Sequence, residues 1–355
     1  MKEKIFVALL LLICGCVENY RIPELEHQPG LVVDGLITTE PGPHQVVLTT
    51  THPLSNDYSN RQYVSNAILK IITQDDTVFL TESTDGKYLT PAGWQAEIRK
   101  SYTLFIELAD GRKYRSDTQE IFPAGTINSL KIAVELNSIN STDPAQPQHS
   151  VAFYLDAAAA PGSRGLLRWR WKGIFQIESD PASKTRIDPV CLCEVPDPPP
   201  CADSCLCCSC WITEYSPVAV VSSNQFAENN QFRNRYIGRV PVEPWRFAYK
   251  YYVEAEQFSV TQSVYSFWKR VEAQQQSVSN IFQPNVIRVK GNITNVDNPA
   301  EEVFGIVAFS DVARKSRFIQ KSDLPFILPN PPVIAEDCRL IFRNKQASIE
   351  RPPFW

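Results

Sequence analysis

Seven cysteines fall within twenty residues: Cys191, Cys193, Cys201, Cys205, Cys207, Cys208 and Cys210. An eighth, Cys338, stands alone far downstream. No other feature restricts the fold as strongly, because a segment this dense in thiols is cross-linked, bound to a metal, a mixture of the two, or left with free thiols, and each choice fixes its path differently. Pro196, Pro198, Pro199 and Pro200 sit among the cysteines. Proline fixes φ and removes a backbone donor, so this stretch is an excursion held by staples and not a strand. Two spacings, Cys205-x2-Cys208 and Cys207-x2-Cys210, match zinc ligands. They interleave, however, and no second C-x2-C follows 15–20 residues on. Disulfides are therefore favoured over a metal site, and no metal or other cofactor is assigned. Closing a long loop constrains the unfolded chain more than closing a short one. A Cys210–Cys338 bridge would thus stabilise most, by about 3–5 kcal/mol in the chain-entropy model.

Disulfides imply export, and the beginning of the chain agrees. Lys2 and Lys4 precede a nine-residue apolar run, Ile5 to Ile13, which is far short of the ~20 residues that span a membrane. Ile13-Cys14-Gly15-Cys16 follows and resembles a bacterial lipobox. The expectation is a lipoprotein signal peptide over 1–15 and lipidation at Cys16. Residues 16–30, polar and proline-bearing, read as a tether. The body would then be held by acyl chains alone, each buried CH₂ contributing about 0.8 kcal/mol.

Beyond the tether the chain reads as mainly β. It has 27 prolines against 14 glycines, and short β-branched or aromatic runs alternate with turn signals. Leu31 to Ile37, Gln45 to Thr51, Ala67 to Ile72, Thr77 to Thr81, Tyr102 to Leu108 and Lys113 to Ile121 are such runs. In Ala67 to Ile72, the alternation sends Ala67, Leu69 and Ile71 to one face. Six or seven strands with turns every 8–15 residues predict an immunoglobulin-like β-sandwich over 31–125. A second β-rich domain, 126–355, would carry the cysteine-rich insertion 191–210 and one amphipathic helix. Within it Leu167, Trp169, Trp171, Phe175 and Ile177 share one parity, and Arg168, Arg170, Lys172 and Gln176 the other. That is a strand with an aromatic core face and a cationic outer face. The helix is predicted at about 260–276. Ser259-Val260-Thr261-Gln262 has capping-box form, and Val264, Phe267, Trp268 and Val271 keep helical spacing.

Chemistry-bearing motifs are scarce. The sequence contains no G-x-S-x-G, G-x4-G-K-[ST], H-E-x-x-H or G-x-G-x-x-G. Its histidines are His27, His44, His52 and His149. Adjacent acids such as Asp75-Asp76, Glu301-Glu302 and Glu336-Asp337 read as solvated turns. A formal net charge of −4 offers no basic field for nucleic acid. Trp169, Trp171 and Trp268 read as core, whereas Trp94, Trp245 and Trp355 are less constrained.

Several stretches together resemble a known family. They are Leu31-Val32-Val33-Asp34-Gly35-Leu36-Ile37-Thr38 after the lipobox, Tyr102-Thr103-Leu104, Asp110-Gly111-Arg112-Lys113-Tyr114, Arg168-Trp169 and Cys210-Trp211. Tyr249 to Val253, Phe258 to Thr261, Tyr265 to Trp268, Phe282-Gln283-Pro284, Ile287 to Ile293, Asn298-Pro299 and Gly305 complete the set. The likeness, over nearly the whole mature chain, is to the bacterial lipoproteins of domain of unknown function 4249, found mainly in Bacteroidetes. The cysteine-dense stretch 191–208 departs from that pattern and reads as an insertion. The resemblance therefore implies pairing only for Cys210 with Cys338. Members often accompany TonB-dependent outer-membrane transporters with a carboxypeptidase-regulatory-like plug extension, and no catalytic residues carry over. It implies a non-enzymatic, lipid-anchored outer-membrane protein, in either leaflet, acting as accessory or binding partner of such a transporter in nutrient uptake. The alternatives are a surface adhesin or structural lipoprotein and, less favoured, a secreted hydrolase built from acids on distant strands. Oligomeric state is open.

Overall fold

The computed structural model describes residues 29–51, 62–139, 148–222, 227–277, 289–342 and 345–355. The expected signal peptide, Cys16 and nearly all of the tether lie outside the described residues, as do His27, His52 and the Phe282-Gln283-Pro284 motif. The protein is mainly β.

Alternation of apolar and polar residues buries one face of each early strand. Strand β1 (Leu31–Thr38) contributes Leu31, Val33 and Ile37 to the core, β2 (Gln45–Thr50) Val46 and Leu48, and β3 (Ile68–Ile72) Leu69 and Ile71. Strands β4 (Thr77–Thr84), β5 (Lys87–Leu89), β6 (Ser101–Glu107), β7 (Lys113–Ser116) and β8 (Gln119–Glu120) follow. β4 turns the layer: its first half pairs with β3 and its second half with β5. Lys113 to Ile121, a single run in the sequence, forms two short strands, β7 and β8, both paired with β6.

The second body is a sandwich of two antiparallel sheets. Strands β9 (Thr126–Ile139), β10 (Gln148–Ala158) and β11 (Leu167–Glu178) open it. Next come β12 (Thr185–Ile187) and β13 (Glu194–Pro196), which form a small ribbon, then β14 (Ser209–Tyr215) and β15 (Val220–Val221). Strands β16 (Ala227–Glu228), β17 (Gln231–Pro241) and β18 (Lys250–Ser259) complete this stretch. One sheet runs β16-β17-β10-β9; the other is centred on β18-β11-β14 with β15 beside β11. Between them lie Trp169, Trp171 and Phe175 of β11, Phe153 and Leu155 of β10, and Phe232 and Ile237 of β17. The expected division of β11 is observed, with Trp169 and Trp171 0% and 2% exposed. This brings two indole N–H groups inside. Trp169 Nε1 donates to Gln257 Oε1 (2.7 Å), whose amide donates to the Ala124 carbonyl (2.7 Å), whereas Trp171 Nε1 has no hydrogen-bond partner among the described residues.

Helix α1 (Gln262–Ser277) starts later than the capping-box reading placed it. Ser259 is still in β18, paired with Leu167, and its hydroxyl donates to the Phe122 carbonyl. The first helical bond runs from Tyr265 N to Thr261 O (2.8 Å). A tertiary partner thus took the serine that local spacing offered as a cap.

The chain then returns to the first body. Strand β19 (Ile293–Asn295) pairs with β7, and β20 (Phe304–Ser310) runs parallel to β1 from Val32↔Phe304 to Thr38↔Ser310. The result is a ten-stranded, nearly closed sheet ordered β19-β7-β6-β3-β4-β5-β2-β1-β20, with β8 on β6. Residues 31–125 are therefore completed in space by residues 293–310. Gly305 permits the parallel contact. It adopts φ +82°, and a Cβ there would lie 2.0 Å from the Val33 carbonyl oxygen. Strand β21 (Val312–Gln320) continues directly into the second body beside β18. Between the bodies, Phe258, Val260 and Val264 pack on Ile306 and Ala308. Short α2 (Cys338–Ile341) and β22 (Gln346–Ser348), the latter on β14, close the described chain.

Candidate functional site

All eight candidate cysteines are at disulfide distance in four pairs. Cys191–Cys193, Cys201–Cys207 and Cys205–Cys208 close local loops, with Cα separations of 5.2, 5.7 and 5.1 Å. Cys210–Cys338 spans 128 residues and ties β14 to α2, with Cα atoms 5.7 Å apart. Main-chain bonds add to the staples: Ser179 N–H donates to Cys208 O (2.8 Å) and Cys338 N–H to Cys207 O (3.2 Å). Cys201 Sγ, Cys207 Sγ and an Asp337 oxygen lie within 4.8 Å of one another. Both sulfurs are in one disulfide, though, so neither is a thiolate able to hold a metal. The excursion presents apolar tips to solvent: Val190 is 91% exposed, Leu192 78% and Leu206 62%.

The outer face of the six-stranded sheet carries the polar chemistry. At its distal end a row crosses four strands. Trp211 of β14 is registered with Gln176 of β11, and Lys250 of β18 with Gln320 of β21. Phe175↔Tyr251 pairing places Gln176 beside Lys250. Trp355 covers the row. Its Nε1 donates to Gln176 Oε1 (3.2 Å), and Lys250 Nζ lies 4.8 Å from its ring and 4.1 Å from that of Phe318. Arg351 Nη2 donates to the Trp355 carbonyl (2.6 Å). These residues bound a groove of about 520 Å³. Tyr249 separates it from a second hollow of about 270 Å³, walled by Trp245, Glu178 and Pro331 to Ile334. Burial and the neighbouring Glu178 carboxylate push the Tyr249 phenol up to about 12.

The proximal end of the same face meets the first body in a cleft of about 480 Å³. There Arg170 and Arg314 converge on buried Glu256, Arg314 through Nε (3.1 Å) and Nη2 (2.8 Å); Arg314 also reaches Glu40. Burial works to raise the Glu256 carboxyl, but the two guanidinia hold it below its ordinary value. His44 lines the cleft with Nε2 2.9 Å from Glu40 O, and burial lowers its pKa. Further along β11, the Arg168 guanidinium stacks 3.6 Å from the Trp268 ring, and burial pulls it down to about 9.

Inside the second body, Glu214 accepts bonds from Arg246 Nε (3.0 Å) and Nη2 (3.1 Å), from Tyr251 Oη (2.8 Å) and from Lys345. Burial works to raise this carboxyl too; Arg246 and Lys345 hold it below its ordinary value. The acid pairs singled out in sequence are engaged elsewhere. Asp76 N–H donates to Thr73 Oγ1 within a turn, Glu301 is bonded by Tyr114 and Asn295, and Asp337 by Arg339. Sequence reading missed Glu214, Glu256, Arg246 and Arg314, whose partners come from strands far apart in the chain. The only signal toward them was the outward parity of Arg168, Arg170, Lys172 and Gln176.

A family model described as Domain of unknown function (DUF4249) matches residues 17–316. No curated protein matches the chain. Among solved structures, trypsin-activated alpha-2-macroglobulin from Escherichia coli is similar at 12% identity, with a TM-score of 0.17. That match covers 66% of this chain and 15% of the other, so the chain spans a small part of that protein.

Proposed function

Because the chain belongs to the DUF4249 family, whose model spans most of it, we propose that it is a non-enzymatic lipoprotein of the bacterial outer membrane. In this reading it is lipidated at Cys16 and serves as the accessory or binding partner of a TonB-dependent transporter in nutrient uptake. The observation that carries the reading is the stapled excursion. Four disulfides hold exposed Val190, Leu192 and Leu206 on a stiff projection. A monomer gains nothing from presenting apolar tips to water, whereas a preorganised apolar contact lowers the ordering cost of docking. Confinement to one membrane by acyl chains raises the effective concentration of anchored partners, so a modest interface suffices.

Affinity purification from mildly solubilised outer membranes tests this. The wild-type chain should recover a TonB-dependent transporter, and Leu192→Asp with Leu206→Asp should lose it while the disulfides stay intact. Recovery of no transporter, together with turnover of a glycan or peptide by the pure protein, would replace this reading with the hydrolase.

A further inference from the structure

We propose that the groove over Gln176, Trp211, Lys250 and Gln320 is a binding site for an acidic saccharide, one bearing a uronate-type carboxylate. This goes beyond the transporter reading and does not depend on it.

The argument begins with Lys250. Its ammonium makes no ion pair or hydrogen bond with an acidic side chain among the described residues; it is held between the rings of Phe318 and Trp355. Arg351 is already engaged, through Nη2, by the main-chain oxygen of Trp355. No acidic side chain lines this groove at all among the described residues. At the cleft on the same sheet face, by contrast, the guanidinia of Arg170 and Arg314 are neutralised by Glu256 and Glu40. An ammonium without an acidic partner, at a groove that no acidic side chain lines, attracts an anion.

The remaining lining defines which anion. Trp211 and Trp355 offer apolar ring surface, while Gln176 and Gln320 offer amides that can both donate and accept. Flat apolar faces bordered by hydroxyls, with a carboxylate at one edge, match that combination: ring against indole, hydroxyl against amide, carboxylate against Lys250. A peptide strand fits less well. The groove lies over the face of the sheet, where β14, β11, β18 and β21 have paired their backbone groups with one another. Over that face recognition falls to side chains. The volume of about 520 Å³ lies within the roughly 300–1,000 Å³ of small-ligand sites.

The test titrates the full mature protein with a galacturonate tetrasaccharide, read by calorimetry and by tryptophan fluorescence. A neutral galactose tetrasaccharide and a tetraglutamate peptide are the comparisons. The acidic sugar should bind saturably, at least about tenfold more tightly than either comparison, and more weakly as salt rises. Lys250→Gln should weaken it by about tenfold while keeping the circular-dichroism spectrum and cooperative unfolding of the parent. Trp211→Ala should remove the fluorescence response. The proposal fails if the acidic sugar shows no saturable binding at millimolar concentration, or if the neutral sugar or the peptide binds as well. It also fails if Lys250→Gln, folded as the parent, binds as the parent does. None of these outcomes bears on recovery of a transporter.

Discussion

Replacing Cys210 and Cys338 together by alanine should destabilise the second sandwich far more than removing any of the three local bridges. The bridge closes a loop with a sequence separation of 128. In the chain-entropy model, a loop of that length costs the reduced unfolded chain about 5 kcal/mol of lost constraint at 25 °C. Cys191–Cys193, with a separation of 2, gives only about 1.5 kcal/mol on the same formula. Both Cys210 and Cys338 are fully buried in the aromatic core, so truncation there adds a small cavity cost in the same direction. Alanine is chosen over serine because a hydroxyl would be stranded in that core. Urea unfolding followed by tryptophan fluorescence reads the change, since Trp169, Trp171 and Trp245 all belong to this cluster. With a typical slope, the midpoint should fall by roughly 2 M for Cys210→Ala/Cys338→Ala and by much less for Cys191→Ala/Cys193→Ala. A double variant within about 1 kcal/mol of the parent, or one no less stable than the Cys191/Cys193 variant, would refute the reasoning. In that case the unfolded chain would already be constrained by other means.

Glu214→Gln should cost about 2 kcal/mol or more at neutral pH, because it removes the carboxylate shared by buried Arg246 and half-buried Lys345 and leaves Arg246 only Glu243. The folded Glu214 pKa lies below the unfolded one, so its contribution is fully present above the ordinary glutamate value of 4.5 and is lost as pH falls through the lower folded value. Chemical denaturation from pH 7 to 3 should accordingly show a shallower acid limb in the variant than in the parent. Gly305→Ala should destabilise by about 2 kcal/mol or more, since its Cβ would press on the Val33 carbonyl in a left-handed conformation. Hydrogen exchange should show β1 and β20 losing protection together, whereas an alanine at exposed, open Gly111, also at positive φ, should leave their protection unchanged.

Much of the architecture was legible because it is local. Period-two alternation in Leu31 to Ile37, Ile68 to Ile72 and Leu167 to Ile177 states which side chains face a core, whatever that core proves to be. Tryptophans on the apolar parity of β11 had to be inside, and seven thiols in a proline-rich stretch, with an eighth downstream, favoured cross-links over a metal. Helix α1 was likewise visible from its spacing, to within two residues at its start.

What sequence could not state is which distant segments meet. The parallel pairing of β20 with β1 joins residues more than 260 apart, and no local pattern encodes a partner. Ser259 had the spacing of a helix cap, but the carbonyl of Phe122, brought near only by the docking of the two bodies, took its hydroxyl. Glu214, Glu256, Arg246 and Arg314 looked like ordinary surface charge. Burial turned them into paired ions, and burial is a property of the assembled sheets. The groove follows the same rule: Trp211, Gln176, Lys250 and Gln320 are scattered over 145 residues and become neighbours only through strand register. Side-chain periodicity is set by backbone geometry within one strand, so the sequence alone determined the faces. Register between strands is set by the sum of contacts across a whole core, so only the tertiary structure decided the sites.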